Sequence, residues 1–197
     1  MNKKQIFIII IIVIATFIAV SFYNAGVMLT TNVANVESKL GNLDTYIKRR
    51  VGVANSFYTI VRPLMPEQQN IFEQLKYNNN QLANLREIGE RSNANASLAG
   101  NINQITIIAK ENQEVRVNES YRALLKDHLE STALLVRAAS EYNAAVDTYN
   151  LSLNKFPQSI VASLRGYKQI NKFKIAEGNT YYRVGENDQD KKKEANY

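Results

Sequence analysis

Chemistry in this chain would have to come from few side chain types, because its 197 residues include no cysteine and one histidine, His128. Without cysteine there are no disulfides, thiolate zinc sites or cysteine nucleophiles. A metal site on a helix would need a second ligand, such as a glutamate three residues before the histidine, where Leu125 stands. Phosphate-binding glycine loops and nucleophile elbows are also missing. We therefore expect a core or boundary histidine, no cofactor, no metal and no enzymatic activity.

Two Tyr-Asn pairs form the most distinctive polar pattern, Tyr142-Asn143 and Tyr149-Asn150. A spacing of seven residues places the two tyrosines on one helix face. Each ring can fill a core while its hydroxyl reaches a partner or solvent, and the amides can bond to a neighbouring helix. The pattern favours a structural role in fixing helix register. A ligand-binding or partner-binding site is the alternative.

A short basic cluster is formed by Lys48, Arg49 and Arg50. Arg50 falls among apolar residues at helical spacing, so it either pairs inside a bundle or extends outward through its methylenes. The cluster predicts a solvated face, with a site for an anionic partner as the alternative. The formal net charge is +6, but the cations are scattered and do not line a groove. Nucleic acid is therefore not an expected partner.

Helices are predicted to position these residues, because apolar side chains recur at alternating spacings of three and four. The first such series ends before Pro63 and Pro66, and the last ends before Pro157. The first series is Leu29, Val33, Val36, Leu40, Leu43, Ile47, Arg50, Ala54, Phe57 and Val61. The last series is Tyr121, Leu125, His128, Thr132, Leu135, Ala139, Tyr142, Val146, Tyr149, Leu153 and Phe156.

Two shorter helices are predicted between these series, one from Pro66 to Gly89 and one from Leu98 to Ala109. The small polar stretch Arg91 to Asn101 predicts a loop, and the polar run Lys110 to Ser120 predicts a bend. The fold class is therefore all-α: an N-terminal transmembrane helix that continues into an antiparallel four-helix bundle with coiled-coil periodicity. A single first helix is expected from about Lys4 to Val61.

The N-terminal segment Ile6 to Val20 contains only Ile, Phe, Val, Ala and one Thr, and it follows Lys3 and Lys4. Its length and composition predict a retained membrane anchor, with a cleaved signal peptide as the alternative. The first cation after the segment is Lys39. The positive-inside rule then favours a cytoplasmic N-terminus and a bundle on the other side. The predicted parts are an anchor at 1–28, a bundle at 29–175 and a disordered tail at 176–197.

The segment after Pro157 places an apolar stripe among cations. In an up-and-down bundle the fourth helix returns to the membrane, so Phe156 is expected near the bilayer surface. Such a stripe suits an interfacial helix on anionic lipid, or a helix packed over the end of the bundle. An anionic-lipid role would favour the cytoplasmic leaflet and opposes the orientation given by Lys3 and Lys4. The residues predicted to face lipid are Arg165, Tyr167, Lys168, Lys172, Phe173 and Lys174.

The polar pattern of the last predicted helix resembles the LemA family. Its residues are Tyr142-Asn143, Ala145-Val146, Tyr149-Asn150, Phe156-Pro157, Ala162 and Gly166-Tyr167, together with Tyr23-Asn24 and Lys48-Arg49-Arg50. The chain departs from the family at Val51-Gly52-Val53-Ala54-Asn55 and at Ser131-Thr132-Ala133-Leu134. The resemblance implies a bacterial-type, membrane-anchored four-helix bundle and supplies no activity.

The functional hypothesis is a non-enzymatic single-pass membrane protein whose bundle serves protein interaction or assembly at the membrane. Its expected partners are membrane lipid and either another protein or further copies of the chain. A sensory or ligand-binding ectodomain and a lipid-binding, membrane-shaping protein are the alternatives, together with an enzyme that uses unrecognised residues.

Overall fold

The computed structural model describes residues 2–175, and this part of the chain is helical with no strand. The predicted all-α class is confirmed. The predicted tail, 176–197, lies outside the described residues. The α-helices are α1 (Lys3–Ser56), α2 (Gln69–Asn84), α3 (Ile88–Glu111), α4 (Gln113–Val117), α5 (Glu119–Ser152) and α6 (Gln158–Arg165).

Helix α1 runs without a break from the apolar N-terminal segment through the predicted boundary at residue 28. Its α-helical hydrogen bonding ends at Ser56, and a wider π-helical turn, Phe57–Val61, continues to the predicted end. Two short 3-10 turns, Arg62–Leu64 and Pro66–Gln68, then reverse the chain. Each begins with or contains a proline, which cannot donate the backbone hydrogen bond that a continuing helix needs.

The N-terminal part of α1 is long and apolar enough to cross a membrane. Its most apolar window has a mean hydropathy of 3.0, and none of that window is buried within the protein. A core helix of a soluble domain would bury such residues, since each exposed aliphatic side chain costs about 1.5–3 kcal/mol relative to its burial. The apolar segment therefore lacks cover from the described residues.

The chain divides into two compact units, of which the first comprises Met1–Leu43 and Ser140–Lys172. Helices α1 and α5 run antiparallel here: Lys39 pairs with Glu141 (Nζ to Oε2, 2.9 Å), whereas Phe22 meets Phe156 beyond the end of α5. Helix α6 packs on α1 through a small apolar core of Ala25, Leu29, Val161 and Ala162.

Among the described residues, the second unit comprises Asp44–Ala139 and residues 173–175. Within it, segments of α1, α2, α3 and α5 pack as an up-down-up-down bundle. Arg49 of α1 pairs with Asp127 of α5, and Asp44 of α1 pairs with Arg91 of α3. Helix α2 joins α1 through Asn79, whose amide donates to Asn55 Oδ1 over 2.8 Å. Fully buried side chains such as Phe57 and Phe72 fill its interior.

One sequence prediction is wrong in this unit, because Arg91 to Asn101 is helical and not a loop. The break lies earlier, between Asn84 and Ile88, where the Glu87 side chain accepts from the Glu90 backbone N–H and caps α3. Small residues of the stretch are buried: Ser92, Ala94, Asn95, Ala99 and Asn101. Their size lets neighbouring helices approach closely, and Asn101 accepts a hydrogen bond from Asn78 of α2 over 2.5 Å.

Candidate functional site

The Tyr-Asn pattern of α5 holds an extended segment that follows α6. Gly166 ends α6 in the left-handed region, with φ at 72°, where residues with a Cβ are strained. The following residues, 167–172, form the C-terminal strap. The Tyr149 hydroxyl donates to the Lys168 carbonyl oxygen over 2.8 Å, and the Tyr142 hydroxyl donates to the Asn171 carbonyl oxygen over 2.9 Å.

The Asn150 side chain makes two hydrogen bonds to the backbone of the strap, as a neighbouring β-strand would. Its side-chain amide donates to the Ile170 carbonyl oxygen over 2.9 Å, and its Oδ1 accepts from the Ile170 N–H over 3.0 Å. One side chain thus pairs with both backbone groups of one strap residue, which would otherwise lack partners in secondary structure. Asn143, the other asparagine of the pattern, is half-buried.

The tyrosine rings are buried while their hydroxyls reach the strap, as Tyr142 is 1% exposed and Tyr149 is 2% exposed. Burial raises the pKa of the Tyr149 phenol, and the nearby Tyr167 hydroxyl raises it further. Tyr149 therefore remains protonated at neutral pH and acts as a hydrogen-bond donor. These hydrogen bonds hold the C-terminal strap against α5. The sequence predicted that the asparagine amides bond to a neighbouring helix, whereas Asn150 bonds to the extended strap.

The predicted lipid-facing residues separate into different environments. Helix α6 ends at Arg165, so the predicted interfacial helix does not reach the later lysines. Arg165, Lys168 and Lys172 are exposed, and Lys172 pairs with Asp147 over 2.6 Å. Tyr167 is half-buried, with its hydroxyl 3.5 Å from Thr30 Oγ1.

Phe173 corrects the prediction, because it is 1% exposed in the second unit and cannot face lipid. Lys174, beside it, has an exposed side chain, and its backbone N–H donates to Ser92 Oγ over 3.0 Å. In extended chain successive side chains point to opposite sides, so a buried phenylalanine between two exposed lysines is the expected alternation.

The basic cluster is likewise divided among three environments. Lys48 is exposed, Arg49 is half-buried and Arg50 is 3% exposed within the second unit. Arg49 bridges two carboxylates of α5, with 2.6 Å to Asp127 and 3.4 Å to Glu130, and these raise its pKa. The three side chains therefore do not present one basic surface to an anionic partner.

We expect Arg49→Gln to lower the free energy of unfolding only slightly, because the ion pair is exposed and screened by solvent. The loss should shrink with added salt, which screens exposed charges. Urea denaturation of the full chain in detergent measures both effects. Lys48→Gln is the matched control and should change little. An equal loss in the two variants would contradict a special role for the Arg49 pairing.

The interior of the second unit contains a cavity of about 20 Å³ lined by Arg50, Asn95, Thr132 and Phe173, among others. This volume suits a single water molecule and is too small for a metabolite.

His128 lies elsewhere in the same core, 5% exposed and edge-on to Phe57 with ring centroids 5.6 Å apart. Its pKa is lowered to about 4, mainly by burial and then by the positive charge of Arg50, while Asp127 opposes both.

Among residues 2–175, no group of three or more His, Asp or Glu side chains could hold a metal ion. Gly26, where α1 and α6 meet, is not among the residues predicted from the sequence. A Cβ built on Gly26 would lie 3.1 Å from each terminal nitrogen of Arg165, so the guanidinium rests against bare backbone. The small pair Ala25-Gly26 in an apolar helix is the signal that could have indicated this close approach.

A family model described as the LemA family matches residues 39–184. This range contains the Tyr-Asn pattern, the basic cluster and the C-terminal strap. No match was found among curated proteins.

Proposed function

The chain belongs to the LemA family, and we propose that it is a non-enzymatic, single-pass membrane protein whose helical bundle serves protein interaction or assembly at the membrane. The observation that carries the proposal is the exposed apolar part of α1. It continues as one helix into the residues that α6 packs against, so anchor and folded protein share an element.

The apolar segment supports membrane anchoring by its energetics. Fifteen residues, Ile6 to Val20, favour insertion by about 0.3–0.6 kcal/mol for each apolar residue near the bilayer centre. A cleaved signal peptide is the competing explanation. Against it, α1 remains helical through Ser21, near which cleavage would have to occur. A protease would first have to unwind that part of the helix.

An interaction role is supported by the hydrogen bonds of the Tyr-Asn residues, which are made within the chain. The Tyr142, Tyr149 and Asn150 side chains bond to the chain's own backbone, and the cavity beside Arg50 and Phe173 has room for one water only. The outer surface is then the place for a partner. In the second unit it carries exposed apolar side chains, among them Tyr77 at 63% and Ile107 at 51%.

For orientation we propose a cytoplasmic N-terminus with the bundle on the opposite side. Lys3 and Lys4 precede the apolar segment, and no cation follows it before Lys39. Cations close to a membrane span are retained on the cytoplasmic side.

We expect Tyr77→Cys to be labelled by a membrane-impermeant maleimide as strongly in intact cells as in lysed cells. The chain has no cysteine of its own, so the label reports this position alone. The protein should also remain in the membrane fraction after alkaline carbonate extraction. In the same membranes, a short bifunctional thiol and amine reagent should join Tyr77→Cys to a second copy or to one specific protein.

Phe72→Cys is the matched control, since Phe72 lies on the same helix and is fully buried. It should resist both reagents until the protein is unfolded. Labelling of Tyr77→Cys in lysed cells only would reverse the orientation. Release by carbonate would contradict the anchor, and a strictly monomeric protein with no crosslinked partner would contradict the interaction role.

A further inference from the structure

We propose that α6 and the turn before it form a second membrane contact, which inserts Phe156, Ile160 and Leu164 into the bilayer that surrounds α1. The proposal rests on the membrane anchoring proposed above and extends it to a specific surface. The residues predicted to face lipid were mostly cations, and the structure adds three exposed apolar side chains to this region.

Helix α6 has two apolar edges with opposite surroundings. Val161 and Ala162 are 6% and 4% exposed and pack against Ala25 and Leu29 of α1. Ile160 and Leu164, four residues apart and therefore on one edge, are 42% and 81% exposed. Phe156 in the preceding turn is 76% exposed. The structure thus presents three large apolar side chains together, without cover from the described part of the chain.

The exposed edge of α6 lies beside the end of the apolar run of α1, and this position indicates that lipid covers it. The rings of Phe156 and Phe22 meet edge to face with centroids 6.3 Å apart, and Phe22 lies two residues after the apolar run ends at Val20. At the same level, α1 itself exposes Tyr23 and Val27, by 72% and 49%. The apolar surface of α6 is therefore continuous with the exposed apolar surface of the predicted span.

Bilayer dimensions agree with a contact at this level. Ile6 to Tyr23 covers about 27 Å as a helix, slightly less than a hydrocarbon core of about 30 Å. Extending the span to Val27 gives about 33 Å, which a modest tilt accommodates. The hydrocarbon boundary would then fall beside α6, where Leu164 and Phe156 could enter it.

Polar groups mark the outer rim of the contact. Arg165, next to Leu164, lies against Gly26 in an open cleft that also includes Tyr23, Thr30 and Thr31. A guanidinium pairs well with a phosphate, and tyrosines favour the level of lipid headgroups. An apolar edge bordered by a cation and a tyrosine is the arrangement expected of an interfacial helix.

Depth-dependent quenching in proteoliposomes tests the contact with the full-length chain. Leu164→Cys carries an environment-sensitive fluorophore, and the vesicles contain phospholipid with a spin label near the headgroup or near the end of the acyl chain. We expect the headgroup-proximal label to reduce the fluorescence about twofold, as for a side chain at the headgroup and acyl boundary. Because Leu164 is largely exposed, its replacement leaves the core of the first unit intact.

Two positions on α1 provide controls. Val13→Cys, in the middle of the apolar run, should be quenched by the deep label. Ser38→Cys, exposed and about 22 Å beyond Tyr23 along the helix, should be quenched by neither. No quenching at Leu164 while Val13 is quenched would overturn the inference and leave the anchor standing. Crosslinking of Leu164→Cys to a second copy, without quenching, would assign the surface to self-association and also overturn it. No quenching at Val13 would overturn the anchor and the inference together.

Discussion

Acidification from pH 7 to pH 4 should lower the free energy of unfolding by about 3 kcal/mol through His128 alone. In the folded protein its pKa is lowered to about 4, mainly by burial and then by Arg50. In the unfolded chain the pKa returns to about 6.5. Between these values the unfolded chain binds a proton that the folded protein does not. Stability from this residue is therefore complete above pH 6.5, falls as the pH decreases, and is lost below pH 4.

The measurement is the difference between wild-type protein and His128→Gln across this pH range, which removes the shared titration of carboxylates. We expect the unfolding free energy of the wild-type protein, relative to that of His128→Gln, to fall by about 3 kcal/mol as the pH decreases from 7 to 4. Because His128 is the only histidine, its imidazole resonance can be followed directly by NMR. Parallel stability curves, or a folded-state midpoint near 6.5, would show that the ring is not desolvated.

Asn150→Ala should release the C-terminal strap from α5 at a cost of about 2–4 kcal/mol in its opening free energy. The substitution removes two hydrogen bonds and leaves the N–H and carbonyl of Ile170 without their partner. Each half-buried backbone group that loses its partner costs about 1–3 kcal/mol. Hydrogen exchange at the Ile170 amide should become at least about thirtyfold faster. Tryptic cleavage after Lys168 and Lys172 should accelerate with it.

Asn154→Ala is the matched control, because Asn154 is exposed and its side chain donates only to the Asn150 carbonyl, over 3.3 Å. Its strap should exchange and cleave at the wild-type rate. Tyr149→Phe removes a single hydrogen bond to the strap and should give a smaller acceleration than Asn150→Ala. Equal rates in all three variants would mean that the strap is held by other contacts.

Much of the fold was predictable, because burial on the long helices follows their apolar periodicity. Of the first series, Leu29, Val36 and Leu43 are buried, and Val33 and Leu40 are half-buried. For Arg50 the series left two positions open, inside the bundle or extended outward, and the structure buries it. These predictions succeed because a helix repeats its face every 3.6 residues, so one pattern determines burial over many turns.

The burial of small polar residues and of side chains in the extended segment was harder to predict from the sequence. Ser92, Asn95 and Asn101 look like loop residues by composition, but they are buried in α3 where close helix packing favours small side chains. Phe173 was assigned by the cations around it, while the alternation of an extended segment decides its side. The strap contacts join residues about twenty to thirty positions apart, a distance at which no local periodicity indicates pairing.

The continuity of α1 has a consequence for how the protein meets its membrane. Residues of the apolar run and the α6-contacting residues Ala25 and Leu29 share one helical phase, in which each residue adds about 100° of rotation and 1.5 Å of rise. The direction from which α6 approaches lipid is thus fixed by the number of residues between span and contact. A single inserted residue would rotate that direction by more than a quarter turn, whereas seven would nearly restore it. The number of residues between the span and the α6 contact therefore sets both their distance along α1 and the direction in which α6 faces the membrane.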